Sequence, residues 1–183
     1  MRRGPDQLGK CSLRDGRVWL AAAVLHMRGE TLTAQPLADG HGNILLWNGE
    51  VFGGDPLPVP HKSDTEAVLA ALAGAGAVQH VLAHIEGPYA FVFWHEASST
   101  LWYGRDPLGR RSLLRRLDEY DRSPSGVSAL GRVPRWRSMR LSSVAANFED
   151  DAGQSFAGSE CAWLELPTDG IGSVHLLPCG GTE

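Results

Sequence analysis

Residues 44–52, Ile-Leu-Leu-Trp-Asn-Gly-Glu-Val-Phe, are the stretch that decides the fold of this chain. An apolar strand runs into Asn48-Gly49, and Glu50 follows before the chain becomes apolar again. Asn-Gly between two hydrophobic runs is typical of a β-hairpin, and taken alone the pattern favours that turn. The pair also offers a side-chain amide and a bare backbone N–H at the end of a buried strand. These are the two donors that an oxyanion hole requires.

The segments on either side predict strands and helices. The near-continuous apolar run over 18–27 predicts a strand buried on both faces, although its alanines also permit a helix. Residues 1–16 are polar and we expect turns there. Ser63 and Glu66 form a capping-box pattern ahead of an apolar run, which predicts the start of a helix. We expect a second helix over 77–85.

The following segment is strongly β in character. Residues 89–95 are apolar on both faces, so they predict a strand in a sheet that is covered on both sides. Residues 100–105 are its expected partner, after which 106–109 form a tight turn. Short strands are expected at 161–166 and 172–177. Strands, two helices and then more strands indicate an α+β or layered architecture rather than regular βαβ alternation.

Two weaker signals have more than one interpretation. Residues 115–138 are rich in arginine and predict a surface insertion. A basic and aromatic patch there could bind nucleic acid, but the net charge of −4 favours a solvated insertion and no nucleic-acid partner. The patch consists of Arg132, Arg135, Trp136, Arg137 and Arg140. His80 and His84 have a spacing that can hold a metal ion, yet no third ligand is placed by sequence. Two surface histidines are favoured.

Composition places the chain among ordinary globular proteins of one domain. Its 183 residues suffice to bury a sizeable core, and 43% of them are apolar. No apolar run approaches the ~18 residues of a membrane span, and no apolar segment follows the basic N-terminus as in a signal peptide. The three cysteines, at positions 11, 161 and 179, form no Cys-x-x-Cys pair or Cys/His cluster. We expect a cytoplasmic protein without a membrane partner or a metal site.

Four motifs, in order along the chain, resemble one family. They are Arg3-Gly4-Pro5-Asp6, Gln35-Pro36-Leu37, Asn48-Gly49-Glu50-Val51-Phe52 with Ser63-Asp64-Thr65-Glu66, and Gly104-Arg105-Asp106-Pro107-Leu108-Gly109-Arg110. Together they are similar to the class II, N-terminal-nucleophile glutamine amidotransferase domain of the asparagine synthetase family. The stretches Leu25-His26-Met27-Arg28-Gly29 and Tyr103-Gly104-Arg105-Asp106 resemble its asparagine synthetase domain-containing branch. One such motif is weak, but four in order are specific.

The resemblance implies a fold and a reaction. The fold is a four-layer αββα sandwich of the N-terminal-nucleophile hydrolase type, here a single truncated domain over 1–183 that lacks its first strand. The reaction is hydrolysis of glutamine to glutamate and ammonia. A cysteine at the mature N-terminus attacks the side-chain amide, with its own α-amine as the base.

The resemblance also assigns roles to individual residues. The Asn48 side chain and the Gly49 N–H would stabilise the oxyanion, so this interpretation now leads over the hairpin. Glu50 and Asp64 would bind the substrate, Asp64 through the α-ammonium of glutamine. An acid at a helix start also complements the helix dipole, and both roles are compatible. Arg105-Asp106 would be a structural turn, with an ion pair that braces two strands.

The chain departs from the family at two positions. Family members begin Met-Cys-Gly-Ile well ahead of the Arg-Gly-Pro-Asp motif, whereas here that motif nearly follows Met1. Cys11 is internal and has no α-amine, so we expect the chain to be inactive. Val24 stands where asparagine synthetases carry an arginine for the glutamine carboxylate, and nearby Arg28 is a poor substitute because a bidentate site is position-sensitive.

No phosphate-binding loop is present in the sequence. We therefore expect no cofactor in this chain, with ATP and magnesium confined to a synthetase-type domain of the full-length protein. The expected partners are glutamine and that domain, and the expected role is asparagine biosynthesis. The alternative is a non-catalytic module for glutamine sensing or protein interaction.

Overall fold

The computed structural model of the protein describes two compact units. The first comprises Met1–Arg111 and Pro167–Glu183, and the second comprises Ser112–Leu166. The residues that the structure describes are 4–27, 31–55, 57, 63–74, 77–119, 136–144, 163–168 and 170–177. Residues named from the sequence that lie outside them are Met1, Arg3, Arg28, Gly29, Arg132, Arg135, Cys161 and Cys179.

The described elements are mostly strands. In chain order they are β1 (Gln7–Leu13), β2 (Val18–Val24), β3 (Leu37–Ala38), β4 (Ile44–Gly49), β5 (Gly53–Gly54), α1 (Asp64–Ala73), α2 (Val78–Ala83), β6 (Ile85–Glu86), β7 (Tyr89–His95), β8 (Thr100–Arg105), β9 (Leu114–Glu119), β10 (Trp136–Ser142), β11 (Leu164–Glu165) and β12 (Gly172–His175). None of the described helices is long and apolar enough to cross a membrane.

A five-stranded antiparallel sheet, in the order β12-β8-β7-β4-β3, forms the centre of the first unit. The middle strand β7 is buried on both faces, as its sequence predicts. One face packs against the two helices, and the shared core includes Trp47, Phe91 and Phe93 from the sheet with Val68 and Leu82 from the helices. Helix α1 begins as predicted, because the Ser63 side chain accepts a hydrogen bond from the Glu66 N–H at 3.4 Å.

β1 and β2 pair as an antiparallel ribbon, and β2 contacts β4 of this sheet. Val18 and Leu20 are buried on the inner face of β2, but Trp19 is 70% exposed on the outer face. The expectation that this strand is buried on both faces was therefore wrong. The expectation of turns throughout residues 1–16 was also wrong, since Gln7–Leu13 forms a strand by pairing with β2.

The described residues combine two helices packed on a sheet with a separate two-stranded ribbon, and the α+β sandwich class is confirmed. Asn48-Gly49 is not a hairpin turn. β4 pairs with β7 up to Gly49, and the chain then runs on to β5, which pairs with β6. The tight turn between β4 and β5 that the Asn-Gly pattern favoured is absent from these described residues.

The second unit contains a three-stranded antiparallel sheet in the order β10-β9-β11. Two of these strands occupy parts of the expected insertion over 115–138, so those parts are regular structure. The sequence did not predict these strands, because they contain few apolar residues and form by pairing with each other. The assignment of residues 1–183 to a single domain stays a prediction.

Candidate active site

The end of β4 places Asn48 and Gly49 beside the start of β7. Asn48 is paired with Ala90 and Gly49 with Tyr89. Asn48 is exposed, so its amide is free to meet a ligand from solvent. A Cβ on Gly49 would lie 2.5 Å from the carbonyl oxygen of Pro88 and 2.7 Å from Cβ of Tyr89. The position therefore requires glycine because another backbone approaches it closely.

Gln35 holds the residue that immediately precedes Asn48. Its Nε2 donates to the Trp47 carbonyl oxygen at 2.9 Å, and the Trp47 N–H donates to its Oε1 at 2.8 Å. The side-chain amide thus satisfies both backbone groups of Trp47, as a neighbouring strand would. In the sequence, Gln35 stands out only as part of the Gln35-Pro36-Leu37 motif. The Gln-Pro pair was the available signal, but it gives no indication of the backbone that the amide contacts.

Asp64 lies at the first position of α1 and reaches the same segment. Its carboxylate accepts a hydrogen bond from the Val51 N–H at 2.8 Å. Val51 is fully buried and lies two residues beyond Gly49. The structure therefore brings the predicted acid next to the Asn48-Gly49 segment. The helix-dipole and substrate-binding interpretations of Asp64 both remain compatible with this position.

Glu50 forms one backbone hydrogen bond and one side-chain ion pair. Its N–H donates to the Pro88 carbonyl oxygen at 3.0 Å, and its carboxylate forms an ion pair with Arg111 at 3.5 Å. Both side chains are about one-third exposed, at 31% for Glu50 and 35% for Arg111. Arg111 was not predicted as a site residue, since no local pattern in the sequence indicates an ion pair between positions 50 and 111.

Asp106 is fully buried in the turn that follows β8. Its carboxylate accepts hydrogen bonds from the backbone N–H groups of Tyr89, Leu108 and Arg110, each at 3.1 Å. The guanidinium of Arg110 also pairs with it at 3.5 Å. These contacts connect the start of β7 to the turn, with Arg105 directly before it. Burial and, secondarily, the charge of Asp106 raise the pKa of Tyr89 to about 12.

The structure places Cys11 and Val24, the two residues at which the sequence lacks family side chains or an equivalent for them, in the β1–β2 ribbon. Cys11 lies in the middle of β1, opposite Leu20, and burial raises the pKa of its thiol. A thiol in that state has little thiolate and is a weak nucleophile at neutral pH. Val24 is the last residue of β2, and its side chain is half-buried. An aliphatic side chain there offers no charge to a carboxylate.

His80 and His84 contact each other through their rings and through the His80 backbone. The rings of His80 and His84 lie 4.5 Å apart between centroids, and Nδ1 of His84 lies 2.7 Å from the His80 carbonyl oxygen. Within the part of the chain that the structure describes, no group of three or more His, Cys, Asp or Glu side chains is placed to hold a metal ion.

The site as a whole combines hydrogen-bond donors with carboxylates. Asn48 and Gly49 contribute the donors, and Asp64 and Glu50 contribute the negative charge on adjacent segments. Such an arrangement suits a small ligand with a cationic group at one end and a polarised carbonyl at the other. These four residues are the predicted set, and the structure gathers them around the end of one strand.

Comparison with known proteins gives a consistent result. Residues 1–145 match the family described as "Glutamine amidotransferase domain". Asparagine synthetase domain-containing protein 1 of Mus musculus is 35% identical over 181 residues, which cover 96% of this chain and 25% of that protein. The protein of the same name from Gallus gallus is 34% identical over 189 residues, which cover 100% of this chain and 26% of that protein.

Among solved structures, the glutamine phosphoribosylpyrophosphate amidotransferase of B. subtilis, complexed with ADP and GMP, is similar at a TM-score of 0.35 and 22% identity. The match covers 45% of this chain and 22% of that chain. The chain spans about a quarter of the length of the curated relatives that match nearly all of it. On the family match over most of its length and the identity to these relatives, the chain belongs to the glutamine amidotransferase domain family and is such a domain of an asparagine-synthetase-like protein.

Proposed function

We propose that this chain supplies the glutamine site of a protein that hydrolyses glutamine to glutamate and ammonia for asparagine biosynthesis. The observation that carries the proposal is the hydrogen bond from the Val51 N–H to Asp64, because it joins the acid to the segment with the oxyanion donors. Asp64 and Glu50 bind the α-ammonium of glutamine. The Asn48 amide and the Gly49 N–H bind the oxygen of its side-chain amide.

Hydrolysis also needs a nucleophile with a base. In this family that is a cysteine with a free α-amine. The half-buried Cys11 residue is internal and has no free α-amine to act as its base, so the 183-residue chain binds glutamine and does not cleave it. ATP and magnesium act in a synthetase-type domain of the full-length protein, which uses the ammonia. We place the protein in the cytoplasm.

The test is calorimetric titration of glutamine into the 183-residue chain. We expect saturable binding that Asp64→Asn weakens about tenfold or more, since it retains an acceptor for the Val51 N–H but loses the charge. Glu66→Gln is the matched control, because Glu66 is the other acid of the first helical turn and is exposed. Equal loss in both variants would indicate a helix-dipole effect, and absence of binding would refute the proposed site.

Glutamate release by the same chain separates the two candidate functions. The half-buried Cys11 thiol, whose pKa is raised by burial, favours a non-catalytic, glutamine-responsive module, for which we expect binding without glutamate release. Glutamate release by this chain would show that another group acts as the nucleophile. Release by the full-length protein, abolished when its N-terminal cysteine is replaced, would support the hydrolytic role.

A further inference from the structure

The four residues of the proposed glutamine site carry negative charge and no positive charge. Asp64 and Glu50 are acids, and Asn48 and Gly49 supply uncharged hydrogen-bond donors. Glutamine bears its α-carboxylate on the same carbon as its α-ammonium, so two acids attract one half of this head group and repel the other. A site for a free α-amino acid therefore needs a cation beside its acids. The aliphatic Val24 supplies none.

Arg111 lies beside one of these acids and is only loosely bound to it. Its Nη2 is 3.5 Å from Oε1 of Glu50, whereas a strong hydrogen bond between charged groups spans about 2.7–2.9 Å. Its Nε is buried and has no hydrogen-bond partner among the described residues. The side chain is 35% exposed, so part of it is open to solvent. The guanidinium therefore has hydrogen-bonding capacity that Glu50 does not use.

Glu50 and Asn48 present their side chains on the same face of the strand. The pairing of β4 with β7 continues past Gly49, because the Glu50 N–H donates to the Pro88 carbonyl oxygen at 3.0 Å. Alternate residues of a paired strand face the same side about 7 Å apart. The α-carboxylate carbon and the side-chain amide carbon of an extended glutamine are about 5 Å apart. One glutamine can therefore contact Asn48 at one end and the Glu50–Arg111 pair at the other.

An arginine next to an acid is complementary to the head group of an α-amino acid. One carbon separates the ammonium from the carboxylate in such a ligand, so their partners must be neighbours of opposite charge. The Glu50 carboxylate accepts from the ammonium, and the Arg111 guanidinium donates two parallel N–H groups to the carboxylate. The ligand thus exchanges one long ion pair in the protein for two charge-assisted contacts.

We propose that Arg111 binds the α-carboxylate of glutamine and makes the site selective for free α-amino acids. This inference rests on the proposed glutamine site and adds the residue that recognises one half of the head group. A ligand with a neutral group in place of the carboxylate leaves the guanidinium without that partner and binds more weakly. Glutamine inside a peptide chain is rejected for the same reason, since its α-carboxyl group is an amide.

The test compares glutamine with glutaminamide, in which a neutral carboxamide replaces the α-carboxylate. Calorimetric titration into the 183-residue chain at about pH 6 keeps the α-amine of both ligands protonated. The unaltered chain should bind glutamine about tenfold or more tightly than glutaminamide. Arg111→Gln should abolish this preference by weakening glutamine. Arg111→Lys keeps the charge without the planar fork, so it should give an intermediate preference.

The ratio of the two dissociation constants isolates the carboxylate contact. Arg111→Gln also removes the ion pair with Glu50, but that loss affects both ligands alike and cancels in the ratio. Equal weakening of both ligands would therefore mean that Arg111 only orients Glu50, and would overturn the carboxylate contact.

Arg14→Gln is the matched control. Arg14 pairs with Glu96 at 2.8 Å and its side chain is 37% exposed, but this pair lies beyond the other end of β7. The variant loses the same charge and should keep the preference for glutamine. A preference that Arg28→Gln abolishes and Arg111→Gln preserves would assign the carboxylate to Arg28 and overturn the proposal.

The remaining outcomes separate this inference from the proposed function. Equal binding of glutamine and glutaminamide by the unaltered chain would overturn the role of Arg111 and leave the glutamine site in place. Absence of glutamine binding by the unaltered chain would refute the glutamine site itself, and the carboxylate contact with it.

Discussion

At the candidate site, Gly49 is a position where the absence of a side chain lets two backbone segments approach closely. A methyl group there would meet the Pro88 carbonyl oxygen at 2.5 Å, and neither backbone can move without disturbing the β4–β7 pairing. We expect Gly49→Ala to lower the free energy of unfolding by about 1–3 kcal/mol, as overpacking usually does. Urea unfolding measures this. Gly40→Ala, where the added Cβ meets nothing within 4 Å, should be close to neutral.

Tyr89 gives a pH-dependent prediction at the same scale. The pKa of Tyr89 is raised from 10.0 to about 12 in the folded state. The unfolded chain therefore loses the phenol proton first, and stability that is fully present below about pH 10 is lost as the pH rises toward about 12. Tyr89→Phe should remove this loss but cost about 1 kcal/mol at neutral pH, because the hydroxyl donates to the Leu82 carbonyl oxygen at 3.0 Å.

The measurement for Tyr89 is urea unfolding of both proteins across the alkaline range. The stability difference between them should be constant below about pH 10 and should shrink above it. Other ionising groups affect both proteins alike, so the difference isolates Tyr89. A difference that does not change with pH would mean that the phenol ionises normally in the folded protein.

Single residues also show what sequence could predict about the site. Asn48, Gly49 and Asp64 were singled out because they lie in short motifs that resemble the family, and their roles stay predictions. The contacts of Gln35 with Trp47, and of Glu50 with Arg111, were not predicted. They join positions that only the folded backbone brings together, and the sequence carries no local pattern for such contacts.

At the scale of elements, a network at Glu96 joins the β1–β2 turn to the β7–β8 turn. One carboxylate oxygen pairs with Arg14 at 2.8 Å, and the other accepts from the indole Nε1 of fully buried Trp94 at 2.6 Å. The ion pair is more than one-third exposed on each side, so it is worth about 0–1 kcal/mol. The indole hydrogen bond matters more, because a buried donor left unpaired costs about 1–3 kcal/mol.

Two substitutions separate these contributions. Glu96→Gln loses the charge but keeps an oxygen acceptor for Trp94, so the free energy of unfolding should fall by about 1 kcal/mol or less. Glu96→Ala removes the acceptor and should cost clearly more, about 1–3 kcal/mol. Thermal and urea unfolding would measure both variants. Equal costs would mean that the ion pair, and not the indole hydrogen bond, holds the two turns together.

Elements with a strong local pattern were predictable. β7 is apolar on both faces and α1 has its capping residues, and both lie where the sequence placed them. β1 has no such pattern, since its residues alternate between half-buried and exposed with little apolar character. Its strand conformation comes from pairing with β2. The hairpin that the Asn48-Gly49 pair favours when taken alone does not form for a related reason, because pairing with β7 overrides the local turn preference.

At the scale of the whole molecule, the two chain segments that form the first unit, 1–111 and 167–183, contact each other at Gly109 and Thr168. A Cβ on Gly109 would lie 2.7 Å from Cγ2 of Thr168, so the chain before Ser112 is close to the chain after Leu166. β12, beyond this point, pairs with β8 in the main sheet. A short connection can therefore replace residues 112–166 without stretching, and closing a shorter loop costs less entropy.

We expect a variant in which a short glycine-serine linker replaces residues 112–166 to retain the five-stranded sheet. Amide hydrogen exchange should show that β7 and β8 stay protected, because their pairing and their core residues lie within the first unit. The control is a chain that ends before β12. It should be less stable and prone to self-association, since β8 then becomes an exposed edge strand. Loss of β7 protection in the linker variant would show instead that the first unit requires residues 112–166 to fold.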